Sequence, residues 1–183
     1  MSVREKMVNG ESYFANDKIL MKDREKVKDL CFKYNTILPS QREERTKLIK
    51  QIFGKTGKEI AVESNFFCDY GYNIEVGENF YINHNCVILD CAKVTFGDNV
   101  LIGPNCGFYT AIHPLNPDER NTLYETAKPI KVGNNVWFGG NVTVLPDVTI
   151  GDNAVIGAGS VVTKDIPANV VAVGNPCKPI KSI

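Results

Sequence analysis

His113 is the residue best suited to do chemistry in this chain of 183 residues. It stands between Ile112 and Pro114 in Tyr109-Thr-Ala-Ile-His-Pro-Leu-Asn-Pro-Asp, a stretch rich in proline and asparagine. That composition marks an irregular loop rather than a core element. Imidazole accepts a proton near neutral pH without special surroundings, so a loop histidine is a candidate general base. The competing reading is a surface histidine with no role. The second candidate is Asn83. On two of the three faces of the repeat described below, the residue after each inward apolar position is otherwise glycine, Gly77, Gly97, Gly103, Gly133, Gly139, Gly151 or Gly157; here it is asparagine. Asparagine tolerates positive φ nearly as well as glycine, so the exchange reads either as structural or as an amide placed where a ligand approaches.

Cys31, Cys68, Cys86, Cys91, Cys106 and Cys177 are scattered without a Cys-x-x-Cys pair, and His84 and His113 are the only histidines. Neither a disulfide framework nor a zinc cluster fits that spacing, and no metal is expected. The cysteines read as small core fillers, with a reactive thiol at Cys91 left open. Formal net charge is zero, which indicates no nucleic-acid or anionic-membrane partner. The charged N-terminus has no secretory apolar run, and no stretch has the length of a membrane span. The expectation is a soluble, cytoplasmic protein.

Two kinds of element must position these side chains. Residues 1–58 read as a helical cap. Leu20, Val27, Leu30, Cys31 and Tyr34 fall at helical spacing. A second helix is predicted from Ser40, with Glu43 completing a capping box and Gly54 as its stop. Residues 59–183 follow a six-residue period instead. Val132, Phe138, Val144, Ile150, Ile156 and Val162 each lie six from the last, and small or apolar residues recur four positions later. The register also holds at Val76, Ile82 and Ile88, and resumes at Phe96, Ile102 and Phe108. Such a short, sustained period predicts a mainly β fold, a parallel β-helix of three hexads per coil. Val76, Phe96, Val132 and Ile150 then stack on a first face. Ile82, Ile102, Phe138 and Ile156 make the second, and Ile88, Phe108, Val144 and Val162 the third. The register survives only if residues 109–129 leave the column at one corner and return there.

The motifs resemble those of the maltose and galactoside O-acetyltransferases, within the hexapeptide-repeat acyltransferases. Gly10-Glu-Ser-Tyr, Cys68-Asp-Tyr-Gly-Tyr-Asn, Phe80-Tyr-Ile-Asn, Tyr109-Thr-Ala-Ile-His-Pro, Gly133-Asn-Asn-Val-Trp-Phe-Gly-Gly and Gly157-Ala-Gly-Ser-Val-Val-Thr-Lys-Asp carry the likeness, in that order. The resemblance implies a left-handed helix and a homotrimer with active sites between neighbouring columns. It implies that His113 is the catalytic base and that Asn83 assists at the transition state. It places acetyl-CoA against Gly140, Ala158, Thr163 and Lys164, with Trp137 lining the channel. Lys178 and Lys181 stand where relatives often carry arginine for the CoA phosphates, keeping the charge but not the bidentate fork. Asp69 and Tyr81 match acceptor-pocket positions. Cys91 replaces an acidic residue and Glu125 a methionine of the galactoside enzymes, which weakens a galactoside assignment.

The implied chemistry is direct transfer of an acetyl group from acetyl-CoA to a hydroxyl of a small acceptor, a sugar of the glucose, maltose or galactoside kind. A hydroxyl is a poor nucleophile, so a base must take its proton as it attacks the thioester. An antibiotic or another small hydroxyl compound is the alternative acceptor. A β-helix carbonic anhydrase would want three histidines on zinc, one more than this chain has. A non-catalytic scaffold would explain the repeats but neither Asn83 nor the His113 loop.

Overall fold

The computed structural model describes residues 1–183. The chain opens with α1 (Val3–Val8), β1 (Tyr13–Phe14), α2 (Lys18–Thr36) and α3 (Arg42–Ile52). Eight short strands follow: β2 (Ile60–Val62), β3 (Phe67–Cys68), β4 (Ile74–Val76), β5 (Phe80–Ile82), β6 (Val87–Leu89), β7 (Val94–Phe96), β8 (Leu101–Ile102) and β9 (Gly107–Tyr109). An arm then leaves the column as β10 (Ala111–Ile112), α4 (Pro117–Arg120) and β11 (Tyr124–Ala127). The column resumes with β12 (Ile130–Val132), β13 (Trp137–Phe138), β14 (Thr143–Val144), β15 (Thr149–Ile150), β16 (Val155–Ile156), β17 (Val161–Val162) and β18 (Val170–Val173), and ends in β19 (Lys178–Ser182).

These strands stack in parallel as the hexad spacing predicts. β4, β7, β12 and β15 form the first face; β2, β5, β8, β13, β16 and β18 the second, with β19 turned back antiparallel on β18; and β3, β6, β9, β14 and β17 the third. Val76 pairs with Phe96, Phe96 with Val132 and Val132 with Ile150, and the other two predicted columns keep register in the same way. Each of these residues points inward and is buried. The rings of Phe80, Phe96, Phe108 and Phe138 run along the interior with successive centroids 5.1, 5.1 and 5.3 Å apart. Such tilted contacts suit aromatic quadrupoles and bury large apolar areas.

The corners follow a rule the sequence reading assigned to the wrong residue. Positive φ falls on asparagine: Asn79, Asn99, Asn135 and Asn153, each two residues past a glycine, and Asn169, two past Pro167, have φ between 54° and 60°. Their side-chain amides bond to one another up the column at 2.7–3.0 Å. The glycines have ordinary φ and are required by coil spacing. A Cβ on Gly103 would fall 2.7 Å from the carbonyl carbon of Gly139. Asn83 is not among the residues with positive φ, so left-handed backbone does not explain its presence.

α2 and α3 close the lower end of the column, burying Val27, Cys31, Tyr34, Leu48, Ile49 and Ile52 against the first coil. An open β-helix end needs such a cover. Arg45, 7% exposed, ties the cover down. Its guanidinium donates to Val62 O, Ile37 O, Tyr34 Oη and Ser64 Oγ. The capping box expected at Ser40 is absent, because α3 starts at Arg42 with Gln41 as an N-cap that makes no side-chain cap bond. Glu43 and Glu44 in its first turn face the helix dipole instead. Ser2 and Glu5 form the capping box, at α1.

The excursion loop is more regular than its composition suggests. β10 and β11 pair antiparallel, and β1 joins the other edge of β11, making a three-stranded sheet. Lys128 N donates to Thr110 O at 2.9 Å and closes the base of the arm where it leaves the column. Strand pairing across the arm, rather than local turn chemistry, decides its conformation. All six cysteines are free and buried.

Candidate active site

The arm sets His113 directly after β10, facing β11. His113 Nδ1 lies 3.3 Å from Glu125 Oε2, and Tyr13 Oη donates to Glu125 Oε1 at 2.5 Å. The Glu125 side chain is 9% exposed and that of His113 60%. A buried carboxylate thus faces one imidazole nitrogen, and the ring itself lines an open cavity. A cavity of about 440 Å³ opens here, lined by Ser12, His113, Glu119, Thr122, Tyr124 and Glu125 among others. Ile112 lines both this cavity and a second of about 650 Å³ that holds Lys128, Leu145, Asp147, Thr163 and Lys164.

Asp69 and Cys91 sit at the same corner, between the third and first faces, with Cys91 Sγ 3.8 Å from Asp69 Oδ2. Burial raises the Asp69 carboxyl above its ordinary range, opposed by the Arg24 guanidinium. Burial also pushes the Cys91 thiol up, so it stays protonated and is no nucleophile. Two residues that sequence reasoning missed support this corner. Asp90 is fully buried; its Oδ1 accepts from Asp69 N at 3.1 Å and Tyr70 N at 2.9 Å. Burial pushes its carboxyl up to about 7. Its signal was an acid in the otherwise apolar run from Val87 to Ala92. Arg24 donates to Tyr70 Oη and Ala15 O; on a charged helix it carried no signal of its own.

Asn83 stands at a different corner, between the second and third faces. Its Oδ1 accepts from His84 N at 2.8 Å. Asn105 N bonds to His84 O, Asn141 N to Pro104 O and Gly159 N to Gly140 O, so His84, Pro104, Gly140 and Ala158 occupy one corner on successive coils. Gly103, Gly139 and Gly157 run beside them in step with Asn83. Above Asn83 this corner is built from Gly103, Pro104, Gly139, Gly140, Gly157 and Ala158, a strip almost without side chains. Tyr81 and Trp137 flank it on the outer surface of the second face, Trp137 being 55% exposed. Lys178 and Lys181, on β19, lie exposed at the upper end of that face.

One chain therefore divides the expected site residues into two groups. Asp69, Cys91, His113, Glu125, Thr163 and Lys164 gather around the corner that bears the arm. Tyr81, Asn83, Trp137, Gly140 and Ala158 belong to the second face and its far corner. The third face lies between them.

The maltose acetyltransferase hexapeptide capping motif matches residues 6–57, and the bacterial transferase hexapeptide, with six repeats, matches residues 129–164. The galactoside O-acetyltransferase of Escherichia coli is 44% identical over the whole chain and 90% of its own length. The crystal structure of a maltose O-acetyltransferase from Clostridium difficile is 54% identical with a TM-score of 0.98, covering 100% of this chain and 98% of that one. A hexapeptide-repeat acetyltransferase from Vibrio cholerae, solved with acetyl coenzyme A, is 37% identical with a TM-score of 0.93, covering 100% and 98%. With identities of this size over its full length, the chain belongs to the hexapeptide-repeat acetyltransferase family that includes the maltose and galactoside O-acetyltransferases.

Proposed function

We propose that this enzyme moves an acetyl group from acetyl-CoA to a hydroxyl of a sugar by direct attack, with His113 as general base. The observation that carries this reading is the His113–Glu125 contact, which fixes Nδ1 and leaves Nε2 for the acceptor hydroxyl. His113 takes the hydroxyl proton as the oxygen attacks the thioester carbonyl. Asn83 donates from Nδ2 to the oxygen on which charge collects, because its own Oδ1 is held by His84 N. His113 then returns the proton to the departing thiolate, and no acyl-enzyme forms.

The donor fits the channel. A thin, extended chain can lie on Gly140 and Ala158 where side chains would block it, with Trp137 as a wall. From the coil of Asn83 to that of Ala158 is three coil steps, ~14 Å at the usual interstrand spacing. Lys178 and Lys181 stand beyond, where the phosphates of the donor call for positive charge. On the acceptor side, Ser12, Thr122, Glu119 and Asp69 offer hydrogen-bonding partners for a polyhydroxyl ring rather than an apolar pocket.

The two groups of residues meet only if a second copy brings its channel to the arm, which supports a homotrimer. The outer surfaces agree. The first face shows Glu75, Thr95, Lys131 and Thr149. The second shows Ala61, Tyr81, Leu101, Trp137, Val155 and Val171, a continuous apolar stripe. The third adds Phe67, Val87 and Val161. Two apolar faces per chain suit a closed ring in which unlike faces meet. Six free thiols fit a reducing cytoplasm, and no helix is long and apolar enough to cross a membrane. Incubation with acetyl-CoA and a panel of sugars, antibiotics and simple alcohols, reading thiol release, tests the function. Release with none of the sugars would overturn the acceptor class.

A further inference from the structure

The N-terminal cap reaches the catalytic arm through one residue. β1 lies antiparallel on β11 with Tyr13 opposite Glu125 and Phe14 opposite Tyr124. Ala15 N donates to Leu123 O at 2.9 Å and extends the pairing. The Tyr13 side chain is held among Met7, Leu20, Tyr70, Cys91 and Ala127, and the residue is 1% exposed. From that fixed seat its hydroxyl donates to one carboxylate oxygen of Glu125, and the other oxygen faces His113.

We propose that Tyr13 is a positioning residue for acetyl transfer, its hydroxyl anchoring one oxygen of Glu125 so that the other holds His113 with Nε2 turned to the acceptor. The proposal rests on the reading of His113 as the base. A glutamate side chain has three rotatable bonds, and a single contact to an exposed imidazole does not fix them. A second contact to a buried ring does. The phenol suits the task because burial keeps it protonated, so it is always a donor to this carboxylate. A carboxylate behind a histidine acts by setting tautomer and orientation. On this view the cap is part of the catalytic unit, and the sheet β1–β11–β10 carries the phenol, the carboxylate and the histidine in turn.

Tyr13→Phe keeps the ring and its packing and removes only the hydroxyl. It should lower kcat about 10-fold, the low end for groups that orient a functional histidine. KM for acetyl-CoA and the melting temperature should hardly change, since the channel is untouched. A double-mutant cycle separates this role from a structural one: in a Glu125→Ala background, which leaves Tyr13 Oη no acceptor at position 125, Tyr13→Phe should change kcat by less than about twofold. Wild-type kcat in Tyr13→Phe beside an inactive His113→Ala overturns the proposal alone. So does a 10-fold loss that persists in the Glu125→Ala background, because the hydroxyl would then act through another group. A fully active His113→Ala overturns the base assignment and this proposal with it.

Discussion

Asn83 Oδ1 accepts the backbone N–H of its own neighbour, His84, at 2.8 Å, so the amide turns only its Nδ2 outward. On the proposed mechanism the residue acts as a donor. Asn83→Ala should reduce kcat by about 10²–10³, the usual result of losing one donor to a developing oxyanion. Asn83→Asp keeps an acceptor for His84 N–H but offers no donor, and should be at least as slow. The side chain is half-exposed, so both variants should melt near the wild type. An Asn83→Asp enzyme with wild-type kcat would end the donor assignment.

His113→Ala should lower kcat by about 10²–10⁴, the range for a positioned general base. Acetyl-CoA binding, followed by calorimetry, should survive, because the channel residues lie on the column. The acidic limb of the wild-type kcat/KM profile should flatten in the variant. Should His84→Ala lose activity while His113→Ala keeps it, the wrong corner has been chosen.

A site shared between subunits predicts complementation. Asn83→Ala and His113→Ala chains, each inactive alone, should form mixed trimers when co-expressed. With random assembly about one site in four pairs an intact Asn83 with an intact His113, so about a quarter of wild-type activity should return. A site contained in one chain predicts none.

Arg45 joins the cap to the first coil through four hydrogen bonds from a buried guanidinium. Arg45→Ala removes four buried hydrogen bonds, leaving Tyr34 Oη and Val62 O bonded only to each other, and should cost about 1–3 kcal/mol, read by denaturant unfolding at fixed protein concentration. Activity at low temperature should persist, since the site stands elsewhere.

Asp90 makes stability depend on pH. Its folded carboxyl titrates near 7, above the unfolded value, so the native state holds the extra proton between about pH 4 and 7. Stability from this group is fully present below the unfolded pKa and is lost as pH rises through about 7. The melting temperature should fall between pH 5 and 8, and Asp90→Asn should show a shallower fall. Equal slopes in the two proteins would assign the dependence to other groups.

The column was legible because its signal is local and repeated: one inward residue in every six, from Val76 to Val162, fixes coil, face and register. The three-stranded sheet was not. Tyr13 and Glu125 are 112 positions apart, and neither segment carries a pattern that names its partner. Asparagine and glycine were both read as conformational residues, yet positive φ at these corners falls mainly on asparagine, with Asp147 and Gly159 as exceptions; the glycines that follow the inward positions answer the distance to the next coil, which a single chain of letters does not display. Asp90 was passed over although it interrupts an apolar run, because the sequence does not display the backbone N–H groups of Asp69, Tyr70 and Asn73 that satisfy it.

The channel corner also makes the enzyme a gauge. Every coil adds the same rise, so Asn83, Gly103, Gly139 and Gly157 are spaced by whole coil steps. On the proposed mechanism, a donor whose carrier arm is one coil shorter or longer would bring its thioester to Gly103 or Glu63 rather than to the amide. Duplicating or deleting three hexads between Asn83 and Gly140 would leave every corner, ladder and face intact while detuning that length. On the proposed mechanism, the repeat that builds the wall would also select its ligand by reach.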